Sequence, residues 1–464
     1  MTAEKKYDAI VIGAGQAGVP LSMAFAAAGL STAIVEREHV AGTCINEGCT
    51  PTKTMVASAR VAHVARGAEQ YGVTTGPVSV DMARVRQRKR DIVTSWRSGS
   101  EARIEGAEGL DLLRGEARFT GPASLDVRLL DGDSRALTAE RIVINAGARP
   151  SIPDLPGLAD VPYLTSTSVM ELDAVPEHLI VLGGGYVAVE FAQMFSRFGS
   201  AVTIVQRGAQ LLGREDPDIA AEMVSVLRES GVQVLLESAG RSVGLDEHGR
   251  VRLTVDGPDA ERVVEGSHLL VAVGRTPNSD SLDLSAAGIA TDDHGFIVVN
   301  ERLETGVPGV YAAGDIKGGP AFTHISYDDF RVLRTNLLGD GGADITDRLV
   351  PYAVFTDPEL GRVGVTETEA RAQGRRIRVA TMPMARVARA LEMEETQGVI
   401  KAVVDAESDQ ILGAAVLGVA GGELVAIFQM AMMGAIPTAR LRETVFIHPT
   451  LAESLNNLFT NWAD

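Results

Sequence analysis

A chain of 464 residues has room for about two to four domains and a large core. With 45% hydrophobic and 22% charged residues its composition is that of a globular protein, and a net charge of −18 argues against nucleic acid or an anionic membrane as a partner. Two cysteines cannot build an extracellular disulfide framework, and no secretory apolar region opens the sequence, so the expected location is the cytoplasm.

The first predicted element is a strand ending at glycines, within "YDAIVIGAGQAGVPLSMAFAAAGLSTAIVER" (7–37). The same grammar returns in "EHLIVLGGGYVAVEFAQMFSRFGSAVTIVQR" (177–207): apolar strand, glycine turn, helix, glycine, apolar strand. A βαβ unit used twice predicts two dinucleotide-binding domains. Gly13 and Gly183 permit the turn off the strand, Gly15 and Gly185 let the backbone approach a pyrophosphate, and Gly18 and Ala188 let helix pack on strand. The residue closing each unit separates the cofactors. Glu36 suits ribose hydroxyls, as in FAD or NAD, whereas Gln206 lacks the carboxylate that would repel a 2′-phosphate. Arg207 and Arg214 could grip that phosphate, which favours NADPH over NADH, or serve only surface solubility.

Both cysteines lie in "GTCINEGCTPTK" (42–53), five positions apart. Zinc would need two further donors, and the eight histidines are scattered. A redox-active disulfide accounts for the pair better. Five residues span roughly 500° of a regular helix, so the sulfurs would point apart. Gly48 and Pro51 predict an irregular turn with the helix proper starting near Pro51. A helix N-terminus and Lys53 would favour a thiolate there. Glu47 either faces solvent with little influence or repels anionic substrates from the disulfide.

Further along, "RVRQRKR" (84–90) continues a helical pattern and reads as a solvated helix face. The apolar stretch 411–437 is broken by glycines and carries Glu423, so it reads as a buried strand (411–417) followed by a core or interface helix (422–434).

Two dinucleotide folds around a C-x4-C pair resemble the flavoprotein disulfide reductases, a family that includes glutathione reductase, dihydrolipoyl dehydrogenase and mercuric reductase. The resemblance covers the whole chain. "VINAGARP" (143–150) and "VAVGRTPN" (271–278) look like the family's crossings between domains, "GVYAAGDI" (309–316) like its second FAD motif, and "FIHPTLAE" (446–453) like its C-terminal catalytic segment. It implies an α/β fold with FAD-binding segments at 1–149 and 271–345, an NAD(P)-binding domain at 150–270, and an α+β dimerisation domain at 346–464. A homodimer reducing a small-molecule acceptor, with no nucleic-acid or membrane partner, follows.

Residue by residue, the resemblance implies that Cys44 is the exposed interchange thiol and Cys49 the thiolate facing the flavin. Lys53 would pair with Glu190 near the flavin, and Tyr186 would cover the nicotinamide pocket. His448 and Glu453 would form an acid–base dyad, reaching the partner subunit's flavin. Arg37, Gly42, Thr43, Ala117, Gly147, Arg275, Gly314, Asp315 and Thr323 would join Gly13, Gly15, Gly18 and Glu36 around FAD. Gly274 would join the nucleotide site. Electrons would pass from NAD(P)H to FAD, to the Cys44–Cys49 disulfide, and to the acceptor.

The segments 318–333, 350–371 and "REDPD" (214–218) look most like the mercuric-reductase-like branch, which includes flavoproteins of reactive-chlorine resistance. The C-terminal vicinal cysteines of mercuric reductase are missing, and His448 stands where that enzyme usually has tyrosine. Dihydrolipoyl dehydrogenase is the alternative, with Gln206 against it; a flavin-bound redox sensor of little turnover is an alternative of another class. Ala41 replaces a family glycine and makes the backbone path beside FAD the point to inspect.

Overall fold

The structure, a computed structural model, describes residues 4–463. The chain forms two compact units. One holds the residues up to Thr54 with Arg86–Ser151 and Arg275–Arg348; the other holds Met55–Val85, Ile152–Gly274 and the chain from Leu349 onward. Residues 55–85, read from sequence with the first nucleotide domain, cluster with the second unit.

In the first unit, strand Lys5–Ile12 pairs in parallel with Thr32–Glu36 on one side and Ser134–Ile144 on the other. Strand Val310–Ala312 extends the sheet beyond Ser134–Ile144. Leu110–Gly121 pairs in parallel with Thr32–Glu36, then runs on into an antiparallel meander through Ser124–Leu129 to Ser134–Ile144. The first strand is apolar without alternation because both its faces are covered. Ile10 and Ile12 pack with Phe119, Val127 and Leu137 of the meander. Ala9 and Val11 face the opposite way, toward Leu21 and Phe25 of helix Gly18–Ala27.

In the second unit, a parallel sheet runs in the order Val232–Leu235, Ala201–Val205, His178–Leu182, His268–Val271, Tyr163–Leu164. Helix Tyr186–Phe198 is buried on most of its surface. A five-stranded antiparallel sheet follows, with Ile411–Gly418 between Glu359–Gly364 and Val399–Asp405. Helix Gly421–Met433 lies on that sheet, so the apolar stretch is the predicted strand and helix, and Glu423 points out of the core. No helix among the described residues is long and apolar enough to cross a membrane. Asp357 ties the unit together. Its carboxylate accepts from both Arg197 and Arg60, and its backbone N–H donates to Gln193 Oε1 at 2.7 Å.

Two local expectations are corrected. The second cysteine helix begins at Cys49, not near Pro51. A helix's first turn has no intrahelical use for its N–H groups, so a proline there is tolerated. The basic run lies on helix Met82–Glu105 but is not wholly solvated: Lys89 is 3% exposed, and Arg88 Nη1 donates to the Thr54 carbonyl at 2.8 Å.

Candidate active site

The two glycine turns are built alike. Gly13 and Gly183 have φ of 101° and 119°, and a Cβ on either would lie 2.3 Å from a carbonyl oxygen, that of Asn145 and of Ala272 respectively. Each turn therefore packs on the end of a crossing strand, where only glycine fits. Gly274 also has positive φ, 141°, and Ala188 is fully buried against its sheet.

Asn145, which sequence reasoning passed over, joins three distant segments in the first unit. Its Oδ1 accepts the Gly18 N–H at 2.9 Å, its Nδ2 donates to the Ala313 carbonyl at 2.8 Å, and its own N–H donates to Ile12 at 2.7 Å. The only sequence signal was a polar residue at the end of an apolar strand. Glu36 accepts the Ala14 N–H at 2.9 Å and the Glu38 N–H at 2.8 Å, which holds its carboxylate beside the turn. Arg37 lies 3.5 Å from Glu38. Gly147 sits at φ 67°, and Ala117 is buried in the meander opposite Val127, where only its backbone could meet a ligand.

Asp315 follows strand Val310–Ala312. Burial pushes its carboxyl up against the opposing pull of Arg275 and Lys317. Arg275 Nε, 3.7 Å from Asp315, is buried without a hydrogen-bond partner. A carboxyl group, a guanidinium N–H and a turn with no space for side chains fit the ribityl chain and pyrophosphate of FAD. Ala41 takes the left-handed conformation of the glycine it replaces, φ 77°, so the path into Gly42 is kept, at a cost of about 1–2 kcal/mol.

The cysteine pair occupies a broken helix. Gly42–Asn46 is one short helix, Cys49–Gly67 the next, and the break at Glu47 and Gly48 turns the sulfurs toward each other. A Cβ at Gly48 would lie 3.0 Å from the Thr43 carbonyl and 3.3 Å from Cys44 Cα, so the break demands glycine. Asn46 braces it: Nδ2 donates to the Val40 and Gly42 carbonyls, and Oδ1 accepts from Arg97 Nε at 2.7 Å. The two cysteines are not joined by a disulfide in this structure.

A hydrogen bond with Cys49, then burial, then repulsion by Cys49 push the Cys44 thiol far up. The pair thus resists a second ionisation. Thr323 Oγ1, on the first residue of helix Thr323–Leu338, is 3.3 Å from Cys49 Sγ. Cys49 accordingly stands at two helix N-termini. Lys53 follows one turn after Cys49. Glu47 is half-buried and not fully solvent-facing. Cys44 is half-buried and Cys49 exposed.

In the second unit, Gln206 lies against its glycine turn: a Cβ on Gly184 would be 2.9 Å from the Gln206 side chain, whose Nε2 donates to the Gln210 carbonyl at 3.1 Å. Arg207 is exposed. Gly185 caps helix Tyr186–Phe198. Burial pushes the Tyr186 phenol up, and its hydroxyl accepts from Arg214 and shares a hydrogen bond with the Tyr352 oxygen. Arg214 is therefore placed at Tyr186. Glu190, buried on the same helix, accepts the Phe355 N–H at 2.8 Å. Near the C-terminus, His448 Nδ1 lies 3.0 Å from both oxygens of Glu453, and this hydrogen bond holds the Glu453 carboxyl below its usual range. His448 is 73% exposed, flanked by the exposed Val445 and Ile447.

Comparison with known proteins gives a consistent assignment. Residues 7–329 match the family model described as pyridine nucleotide-disulphide oxidoreductase, and residues 350–459 match the dimerisation domain of the same family. The chain is 39% identical over 459 residues to the probable pyridine nucleotide-disulfide oxidoreductase RclA of Escherichia coli, covering 98% of this chain and 99% of the relative. It is 34% identical to a mercuric reductase of Bacillus cereus, covering 97% of this chain and 70% of that one, and 35% identical to a dihydrolipoyl dehydrogenase of Thermus scotoductus, covering 97% and 96%. Among solved structures, the Cu(II) complex of the HOCl-induced flavoprotein disulfide reductase RclA from Escherichia coli superposes with a TM-score of 0.89, at 38% identity and coverage of 98% and 99%.

Proposed function

Because the chain belongs to the pyridine nucleotide-disulphide oxidoreductase family, and is an NAD(P)H-dependent flavoprotein disulfide reductase, we propose that Cys44 and Cys49 are its redox pair and that its acceptor is an oxidant or a soft metal ion. Bound FAD supplies a hydride acceptor between nicotinamide and disulfide. The turn at Gly13–Gly18, Glu36, Gly42, Asp315 and Arg275 would hold it. Gly183, Gly185, Gln206 and Arg207 would hold the nucleotide, with NADPH preferred because no carboxylate stands at 206.

Cys44 is the thiol that meets the acceptor, and His448, its Nδ1 engaged by Glu453, accepts and returns the Cys44 proton through Nε2. The dyad belongs to the region matching the dimerisation domain, and we assign its action to the partner subunit of a homodimer. A thiolate pair suits soft or thiophilic acceptors. The similar Escherichia coli protein is described as HOCl-induced and has been solved as a Cu(II) complex, and this sequence has no cysteine beyond Cys44 and Cys49 to hold Hg(II). A carboxylate at Glu47 disfavours polyanions.

The observation that carries the proposal is the contact between Cys44 and Cys49 across a glycine break, with Cys49 at two helix N-termini. The test is NADPH-driven turnover of the purified protein with Cu(II), hypochlorous-acid-derived oxidants, Hg(II), lipoamide and glutathione disulfide. Preference for lipoamide would move the assignment to dihydrolipoyl dehydrogenase. Turnover with none of them, despite bound FAD, would favour a redox sensor.

A further inference from the structure

Tyr186, the ring that the family resemblance would place over the nicotinamide pocket, does not rest alone. Its ring centroid lies 5.6 Å from that of Tyr352 at 44°, and its hydroxyl accepts from Arg214 and shares a hydrogen bond with the Tyr352 oxygen. Tyr352 is anchored in turn: its hydroxyl donates to Glu215 Oε1.

Glu215 is an expensive anchor. It is 4% exposed, its Oε2 has no hydrogen bond, and its ion-pair partner Arg362 is 2% exposed and 3.6 Å away, with Nη2 unpartnered. Burial pushes the Glu215 carboxyl up despite Arg362 and the Tyr352 hydroxyl. Half-satisfied buried ion pairs of this kind seldom stabilise a fold relative to apolar packing, and such local costs concentrate at working sites.

The neighbouring Asp216 keeps this loop in place by accepting the Glu367 and Thr368 N–H groups at 3.0 and 2.9 Å. Both contacts on Tyr186 thus trace to one fixed loop: Arg214 reaches the hydroxyl directly, and Glu215 sets the ring of Tyr352.

We propose that Tyr352 and Glu215 are positioning residues for the nucleotide step, fixing the closed rest position of Tyr186 and, with Arg214, setting how readily the pocket admits the nicotinamide ring. The proposal rests on the reading of Tyr186 given above. A ring that must swing aside leaves its resting contacts first. The apparent affinity for nucleotide is then reduced by the fraction of molecules already open.

The experiment is anaerobic rapid mixing of the FAD-loaded enzyme with NADPH, for the parent protein and for Tyr352→Phe, Tyr186→Ala, the double variant, Glu215→Gln and Glu215→Leu. Tyr352→Phe keeps the ring but removes the hydroxyl that joins it to Glu215 and to Tyr186. We expect the apparent Kd for NADPH to fall roughly five-fold, the worth of about one hydrogen bond, with reoxidation by the acceptor unchanged. Glu215→Gln, which still offers an acceptor to Tyr352, stays closer to the parent than Glu215→Leu. In the Tyr186→Ala background the Tyr352→Phe effect vanishes.

A Tyr352→Phe effect of equal size with and without Tyr186, or no effect on nucleotide binding while Tyr186→Ala has one, overturns the proposal and leaves the site assignment standing. No effect of Tyr186→Ala on the nucleotide step overturns the assignment of Tyr186 itself, and the proposal with it. If Tyr352→Phe does not fold, the Glu215→Gln and Glu215→Leu pair decides: equal apparent Kd values in the two contradict the proposal.

Discussion

His448 Nδ1 is 3.0 Å from each carboxylate oxygen of Glu453, a bifurcated contact that commits one ring nitrogen and leaves Nε2 as the other. The carboxylate fixes the orientation of the ring. Glu453→Gln removes that support while keeping the side chain's shape. We expect acceptor turnover to fall on the order of 10²-fold, within the range for general acid–base groups, with NADPH-driven flavin reduction unaltered. Stopped-flow measurement of the two half-reactions separates these. Equal slowing of both would remove the dyad from acceptor chemistry.

The cysteines are distinguished by their neighbours. Cys49 opens its own helix and touches Thr323 at the start of another, whereas Cys44 lies inside the preceding short helix. Cys49 should therefore hold the charge in the reduced pair. Partial anaerobic reduction is expected to give absorbance beyond the flavin bands in the parent and in Cys44→Ser. The band is expected to be absent in Cys49→Ser. Persistence of the band in Cys49→Ser would exchange the two roles.

Much of this arrangement is visible in the sequence, for reasons that are local. The two βαβ units announce themselves because strand, glycine turn and helix are contiguous in sequence, and the Cys44–Cys49 and His448–Glu453 pairs because each spans five residues. What stayed hidden is non-local. Asn145 acts on Gly18 and Ala313, respectively 127 and 168 positions away. Tyr352 meets Glu215 across 137 positions. Periodicity gave the helix around the run 84–90 correctly but not the burial of Lys89, since no local pattern records what a helix later packs against. The left-handed Ala41 was legible only as a departure from a glycine.

Asp357 makes a stability prediction with a definite sign. Burial works against its ionisation, but Arg197 and Arg60 outweigh burial and hold the carboxyl below 3.8, its ordinary value. A depressed folded value means the stabilisation is fully present above the unfolded pKa and lost as pH falls through the folded one. Asp357→Asn leaves Arg197 buried beside a neutral group. We expect a loss of about 3 kcal/mol at neutral pH and a flatter acid limb in stability between roughly pH 4 and lower values. Chemical denaturation across that range checks both. An unchanged slope would show that the two arginines do not govern Asp357.

Nucleotide choice is read at the end of the second βαβ unit. Gln206 lies against the glycine turn with Arg207 exposed beside it, and neither would repel a 2′-phosphate. NADPH is expected to exceed NADH in kcat/KM. Arg207→Glu is expected to narrow the ratio by roughly ten-fold, the worth of about one charge-assisted contact. A parent enzyme that prefers NADH would refute the reading of Gln206.

The central claim is that electrons reach the acceptor only through the Cys44–Cys49 pair. The most direct measurement is NADPH-driven reduction of Cu(II) or a hypochlorous-acid-derived oxidant by the FAD-loaded parent and by Cys44→Ser, alongside the anaerobic nucleotide half-reaction of both. The account predicts that Cys44→Ser still takes electrons from NADPH at the parent rate but no longer passes them to the acceptor. Acceptor turnover by Cys44→Ser at the parent rate would contradict it.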